Sequence, residues 1–325
     1  MRHIRRILLA IKDPEVDAGP TLSKGIQLAH ALGAHLELFH ALDRRVYIDM
    51  LGVNGTSVET IKDEERTQFL KRLAPLAARA RLHGVEVSVE AQWDHPAHEA
   101  ILRRAADTDA DLIIAACHQG RHRARALLEP ADWELLRLAP VPVLLVKQSR
   151  PYRRPTILAA VDPAHAFAKP AKLDQEILEI GVRVSDALRG KLHAVHAFPV
   201  LAPERAPRAG AAPSGGTTDL TPRARASLEF ERLLQPSGIP AVRRHFIEGQ
   251  PREVVAATAE RLQANLVVMG AVSRSGLQHI LVGNTAEQLL DRLASDLLIV
   301  KPPEFASRVA RERRGARVVA VQPSC

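Results

Sequence analysis

Two doubly wound α/β units in tandem, each on a five-stranded parallel sheet, are predicted by three observations: an internal repeat, an alternation of short apolar runs with helical stripes, and a globular composition. The repeat is plainest in the last third of each half, which aligns without a gap at an offset of 154 residues. DLIIAA (Asp111–Ala116) falls on NLVVMG (Asn265–Gly270), and ADWELLRLAPVPVLLVK (Ala131–Lys147) falls on TAEQLLDRLASDLLIVK (Thr285–Lys301). The front of each half agrees with small shifts. ILLAIKDP (Ile7–Pro14) resembles ILAAVDP (Ile157–Pro163), and ALGAHLELFHA (Ala31–Ala41) resembles ALRGKLHAVHA (Ala187–Ala197), which pairs His40 with His196. HGVEVSVE (His83–Glu90) resembles SGIPAVRR (Ser237–Arg244).

Each half reads β-α-β-α-β-α-β. In the second, Ile157–Val161 is a short run rich in branched residues, suited to a strand buried on both faces. Leu192–Ala197, Ala241–Ile247, Leu266–Met269 and Leu297–Val300 supply the other strands. Pro251 suits a first helical position, where its missing N–H has no partner to lose, and Val254, Val255, Thr258 and Leu262 continue as an apolar stripe. Asn284 or Thr285 caps the last helix, with Leu289, Leu290 and Leu293 facing inward. QSRPYRRP (Gln148–Pro155) reads as an exposed, extended connector. The stretch Pro199–Pro222, rich in Pro, Gly, Ala and Ser, reads as a mobile loop, with its counterpart over roughly Asp43–Thr60.

Composition supports this division. The 325 residues suffice for two ordinary domains, with 46% apolar and 25% charged residues. Aromatics are scarce at 3%, so Leu, Val, Ile and Ala must fill the cores. The expected units are 1–149, 150–303 and a basic, disordered tail, 304–325, carrying Arg308, Arg311, Arg313, Arg314 and Arg317. Two distant cysteines, Cys117 and Cys325, give no disulfide framework and point to a reducing compartment. No apolar run approaches the ~20 residues a membrane helix needs, and the N-terminal run Ile7–Ile11 is too short for a signal core. A cytoplasmic protein is therefore expected. A net charge of +8 favours anionic partners, but stacking aromatics are missing, which argues against nucleic acid.

In such sheets ligands bind beyond the carboxyl ends of the strands, where strand order reverses. In the second half that is Asp162 and the segment MGAVSRSGLQHILVGNTAEQLL (Met269–Leu290). Gly270 permits a sharp turn and close approach to backbone. Ser273, Ser275 and Gly276 offer hydroxyls and N–H groups, and Gly283 precedes a helix start at Asn284 and Thr285, a natural phosphate site. Arg274 adds charge at the rim. The competing reading is a capped helix start with no ligand. No base, nucleophile and orienting group stand together, so no residue is nominated as catalytic. Neither WDHPAHE (Trp93–Glu99) nor CHQGRHR (Cys117–Arg123) completes a metal or thiol–histidine site, and His40 and His196 read as hydrogen-bonded structural residues.

With these residues the chain resembles the universal stress protein family, tandem-domain type. ATP-binding members carry Gly, two residues, Gly, nine residues, Gly, then Ser or Thr; here Gly270, Ser273, Gly283 and Asn284 keep the spacing with two changes. The resemblance implies a Rossmann-like fold of the adenine nucleotide alpha-hydrolase type, with strand order 3-2-1-4-5. It also implies an internal pseudo-dimer joined through PVLLVK and DLLIVK. Asp162 and Ala197 would border the adenine, Met269 and Gly270 the adenosine, and Ser273, Gly283, Asn284 and Thr285 the phosphates. The family's Asp-x-Ser is Asp162-Pro163-Ala164 here, one hydroxyl short. The first half departs further, with Ala116, Gln119, Glu129 and Pro130 at the four motif positions. Pro130 deletes an N–H and Glu129 sets a negative charge where a phosphate would lie. The expected function is thus a non-catalytic stress protein binding ATP, with magnesium if bound, in its second domain. Any hydrolysis is expected to be slow and metal-assisted. The alternative is a scaffold with no nucleotide in either domain. Expected partners are the nucleotide, unidentified proteins and, as an open alternative, a second copy of the chain.

Overall fold

The structure is a computed structural model that describes residues 3–17, 19–49, 57–117, 130–163, 172–198, 221–270, 289 and 292–321. Residues 199–220 of the loop predicted over Pro199–Pro222, most of 271–291 and the degenerate loop 118–129 lie outside the described residues. The counterpart predicted as a loop over Asp43–Thr60 instead holds a strand at Arg45–Asp49 and a helix start at Val58.

Ten strands form one sheet. The first half contributes β1 (Arg6–Ala10), β2 (His35–Leu42), β4 (Val87–Trp93), β5 (Leu112–Ala116) and β6 (Val143–Val146). The second contributes β7 (Thr156–Ala160), β8 (Lys191–Phe198), β9 (Arg244–Glu248), β10 (Leu266–Gly270) and β11 (Asp296–Val300). The order is β4-β2-β1-β5-β6-β11-β10-β7-β8-β9. Each half therefore runs 3-2-1-4-5, parallel throughout. β5 and β6 are continuous apolar runs, and β1 and β11 are so after their first residue, because both faces are covered.

Helices α1 (Pro14–Asp17), α2 (Pro20–Leu32), α3 (Val58–Leu82), α4 (Ala97–Asp107) and α5 (Pro130–Leu138) serve the first half. In the second, α6 (Leu173–Ala187), α7 (Pro222–Leu234) and α8 (Pro251–Arg261) do so, and α8 begins at Pro251 as its chemistry suggests. α2 stops at Gly33, whose φ of 63° is the left-handed value that glycine adopts without strain. On either side of the sheet the apolar layer runs through both halves: Leu9, Leu36 and Ile114 share one with Ile157 and Val268, and Leu8 and Ile113 share the other with Leu158 and Val267.

The halves meet through β6 and β11, paired antiparallel with Leu144 opposite Leu298. These two are repeat counterparts, so the seam has the self-complementary form of a two-fold interface. Its lysines repeat the symmetry. Lys147 Nζ donates to Leu293 O at 2.5 Å and Lys301 Nζ to Arg137 O at 3.4 Å, each reaching into the other half. Closing edge on edge also hides two strand edges that would otherwise be sticky.

Three expectations, about the connector, the tail and one strand, are corrected. The connector is not exposed at Tyr152, which is only 6% exposed, because its hydroxyl donates to buried Asp296 at 2.6 Å. Nor is the basic tail disordered over its described part. β12 (Arg317–Val321) pairs in parallel with β3 (Arg45–Asp49), making a second, two-stranded sheet on the first half. The third strand of the second half is also shorter than Ala241–Ile247, starting at Arg244 after a turn of 3-10 helix over Ala241–Arg243.

Candidate functional site

Both crevices lie at the carboxyl ends of the central strands, but they differ in what fills them. In the first half β1 runs out into Ile11, Lys12 and Asp13. The Asp17 carboxylate accepts from Lys12 N at 2.7 Å and Asp13 N at 3.0 Å, folding this turn back on itself. Lys12 Nζ then crosses to Asp132 Oδ1 at 2.9 Å. Asp132, on α5, is 1% exposed, so the pair is largely out of water. Among the described residues a cavity of about 70 Å³ remains, bounded by Phe39, Ala41, His98, Ile101 and Leu135. Small-molecule sites usually need ~300–1,000 Å³.

In the second half Asp162 follows β7. Its N–H donates to Asp174 Oδ1 in the first turn of α6 at 3.0 Å, while its own carboxylate stays 35% exposed. Ala197 near the end of β8, and Met269 and Gly270 at the end of β10, stand on strands beside it, since β7 pairs with both β8 and β10. The structure therefore brings Asp162, Ala197, Met269 and Gly270 to one end of the sheet. Ser273, Arg274, Gly283, Asn284 and Thr285 lie outside the described residues. Gly270 has a packing reason for being glycine. A Cβ there would lie 2.6 Å from Leu173 Cδ2 and 3.2 Å from Ile177 Cδ1, both on α6.

The repeated histidines are structural. His40 Nδ1 donates to Ile11 O at 2.7 Å and His196 Nδ1 to Val161 O at 3.1 Å, each tying the second strand to the chain leaving the first. His40 also stacks on Phe69, with centroids 3.6 Å apart. Burial, helped by nearby Arg44 and Arg72, lowers its pKa to about 4. Because the unfolded ring titrates near 6.5, the folded state disfavours the proton. That stability is present above pH 6.5 and is lost as pH falls toward 4. The drop is about 3 kcal/mol if the ring stays buried. Urea unfolding at descending pH is expected to show this acid limb, and His40→Gln to flatten it; an unchanged limb would remove His40 as its source.

Sequence reasoning missed Lys12, Asp132 and Asp17. The signal was present in one of them: Asp132 aligns with Ala286, an acid where the other copy has none. Among the described residues no three His, Cys, Asp or Glu side chains are grouped to hold a metal. In WDHPAHE, His95 is instead engaged with Gly315 O at 3.0 Å. No helix of the described residues is long and apolar enough to cross a membrane.

The profile of the universal stress protein family matches this chain twice, over residues 3–147 and 154–301. The chain belongs to the universal stress protein family. Universal stress protein E of Escherichia coli K12 is 29% identical over 315 residues, spanning 93% of this chain and 96% of that one. The protein of the same name from Salmonella typhi is 30% identical over 311 residues, with the same coverage. Among solved structures, a protein of unknown function from Pseudomonas aeruginosa PAO1 superposes with a TM-score of 0.67 at 25% identity, covering 93% of this chain and 94% of its own. A universal stress protein from Archaeoglobus fulgidus shares the fold at a TM-score of 0.63 and 15% identity, covering 91% of this chain and 98% of its own. In this tandem universal stress protein the two family units are the two halves of one continuous sheet.

Proposed function

We propose that this universal stress protein is a cytoplasmic, non-catalytic stress-response protein that holds an adenine nucleotide, ATP, in its second domain only. The supporting observation is the asymmetry of the crevices. The ion pair that spans the first, Lys12 with Asp132, has no equivalent in the second, where ILAAVDP lacks the lysine and Ala286 replaces the acid. The second crevice keeps Asp162 partly exposed at its mouth, with small Ala197 and Gly270 beside Met269. These side chains suit a purine: small Ala197 leaves room beside Met269, and a carboxylate accepts from an exocyclic amine. Ser273, Arg274, Gly283, Asn284 and Thr285 would then receive the phosphates through N–H groups and a helix start, and magnesium would enter with the triphosphate.

A second reading, an interaction protein with neither crevice filled, draws support from Gly270, whose missing side chain is already accounted for by Leu173 and Ile177. Calorimetry with ATP separates the two. The wild type is expected to bind, and ATP at 100 times its Kd should add about 2.7 kcal/mol of stability. Gly283→Glu, which copies the first half, should abolish both effects. Unchanged ATP affinity in that variant would overturn the phosphate placement, and no binding by the wild type would favour the scaffold reading.

A further inference from the structure

The amino ends of the strands, opposite the crevices, carry a second asymmetry. In the first half this corner holds Glu37 on β2, Ser88 and Glu90 on β4, and Asp107 at the end of α4. Strand register gives their counterparts, which on β9 lie one residue beyond the sequence pairing of HGVEVSVE with SGIPAVRR. Glu37 sits opposite Leu8 as His193 sits opposite Leu158. Glu90 sits opposite Phe39 as His245 sits opposite Val195. Ser88 becomes Arg243, and Asp107, the last residue of α4, becomes Arg261, the last of α8. Three acids and a serine are thus replaced by two histidines and two arginines.

The side chains that replace them converge. His193 Nδ1 and His245 Nε2 are 3.0 Å apart, their rings parallel within 3°, and Arg261 Nη2 lies 3.5 Å from His245 Nδ1. Lys191 and Arg261 are exposed, and Arg243 and both rings are half-buried. The charged groups acting on His193 are Arg243, Arg261 and Lys191, with His245 beside it; on His245, Arg261. Arg244 turns away to Glu231, and the acid preceding Arg261 on α8, Glu260, is exposed. In the first half Glu37 is matched by Arg104 at 2.5 Å, so that corner is neutralised internally. The second corner has no such acid among the described residues.

We propose that His193, Arg243, His245 and Arg261, with Lys191 at the rim, form a binding site for a small ligand bearing a phosphate-class dianion. Like charges crowded at one sheet corner repel unless an anion sits among them. The fold reduces this repulsion by keeping the rings neutral: burial first, then the neighbouring cations, hold His193 at about pKa 4 and draw His245 below its ordinary value. An entering dianion reverses that field. Because the two rings share one hydrogen bond, it stabilises one added proton, and binding takes up a proton. The footprint is one corner between two strands and a helix end, which suits a single anionic group rather than a polymer tract. This site is independent of the nucleotide reading.

Sulfate is the probe, because its charge stays constant across the relevant range. Titration of the full chain is expected to move the His193 and His245 ring resonances and leave those of His40 and His196 in place. Affinity should tighten about tenfold from about pH 7.5 to pH 5.5, as one ring with its pKa restored near 6.5 takes up a proton. His193→Glu, the first half's own residue, should fold at least as stably and lose the sulfate response; Arg261→Gln should weaken it. The proposal fails if millimolar sulfate leaves both rings unmoved, or if the response survives in a folded His193→Glu chain. An oligonucleotide that moves the rings when sulfate and a sugar phosphate do not would overturn the small-ligand class.

Discussion

Replacing Asp296 by alanine is expected to cost about 3–5 kcal/mol and to loosen both halves together. Asp296 opens β11 in the second half and is fully buried. Its Oδ1 accepts from Lys147 N and Gln148 N, both at 2.8 Å. Its Oδ2 accepts from Tyr152 Oη at 2.6 Å and Lys24 Nζ at 2.5 Å. Lys24 lies on α2 of the first half, and Tyr152 and Gln148 belong to the connector. One carboxylate therefore joins three parts of the chain that are distant in sequence.

Its removal strands a cation. Lys24 is also fully buried, and among the described residues Nζ would keep Gln148 O at 2.7 Å and the face of Tyr152, 4.9 Å from its ring centre. Burial already draws the Lys24 pKa down, and Asp296 opposes that pull. In the variant the ammonium either loses its proton or admits water, and both are costly. The Tyr152 hydroxyl and two backbone N–H groups lose their acceptor as well. Asp296→Asn keeps an acceptor and should cost less. Lys24→Met combined with Asp296→Leu should recover part of the loss, since it deletes both charges but still leaves those three donors unmatched. Urea denaturation of the two Asp296 variants and of a cycle made of the wild type, Lys24→Met, Asp296→Leu and the double variant measures this. A single-variant loss below about 1 kcal/mol, or no coupling in the cycle, would show that the cluster does not clasp the halves.

How much of this was legible depended on the range of the interaction. The strands could be read because each is a run such as LIIAA or DLLIV bounded by turns, and the halves because those runs recur in order. Strand order and the β6–β11 seam followed once the repeat was tied to its family. The ends of β7, β8 and β10 located Asp162, Ala197, Met269 and Gly270 at one crevice. Asp296 was not legible as a clasp, since its partners lie 272 and 144 positions away. It did leave a trace: a charge opening an apolar strand where the other copy has Pro142. The pairing of RVYID with RVVAV was hidden for the same reason. Each run is short, and the arginines before the second dominate the local pattern and mimic a solvated tail.

Deleting residues 304–325 is expected to destabilise the first half by about 2–4 kcal/mol, because the tail completes buried polar groups there. Asp94 is 1% exposed and holds Arg103 through Nε at 2.6 Å and Nη2 at 2.9 Å. The backbone N–H of Arg314 donates to the same carboxylate at 2.9 Å. Gly315 O accepts from His95, and Ala310 O from Arg103 at 3.4 Å. The deletion removes these partners and the whole ladder from β12 to β3. The flanking ion pairs, Arg313 with Asp107, Arg314 with Glu99 and Arg317 with Asp43, are partly exposed, and each adds at most about 1 kcal/mol. The charges are therefore the smaller part. Neutralising Arg313, Arg314 and Arg317 to glutamine should cost clearly less than the deletion, and added salt should weaken the full chain only slightly. Hydrogen exchange gives the local readout, with amides of β3, β4 and the start of α4 expected to lose protection in the truncated chain while β8 and β9 keep theirs. If the truncated chain melts with the full one and those amides stay protected, the strap adds nothing to the first half. If the triple glutamine chain falls as far as the deletion, charge rather than backbone pairing is what holds it.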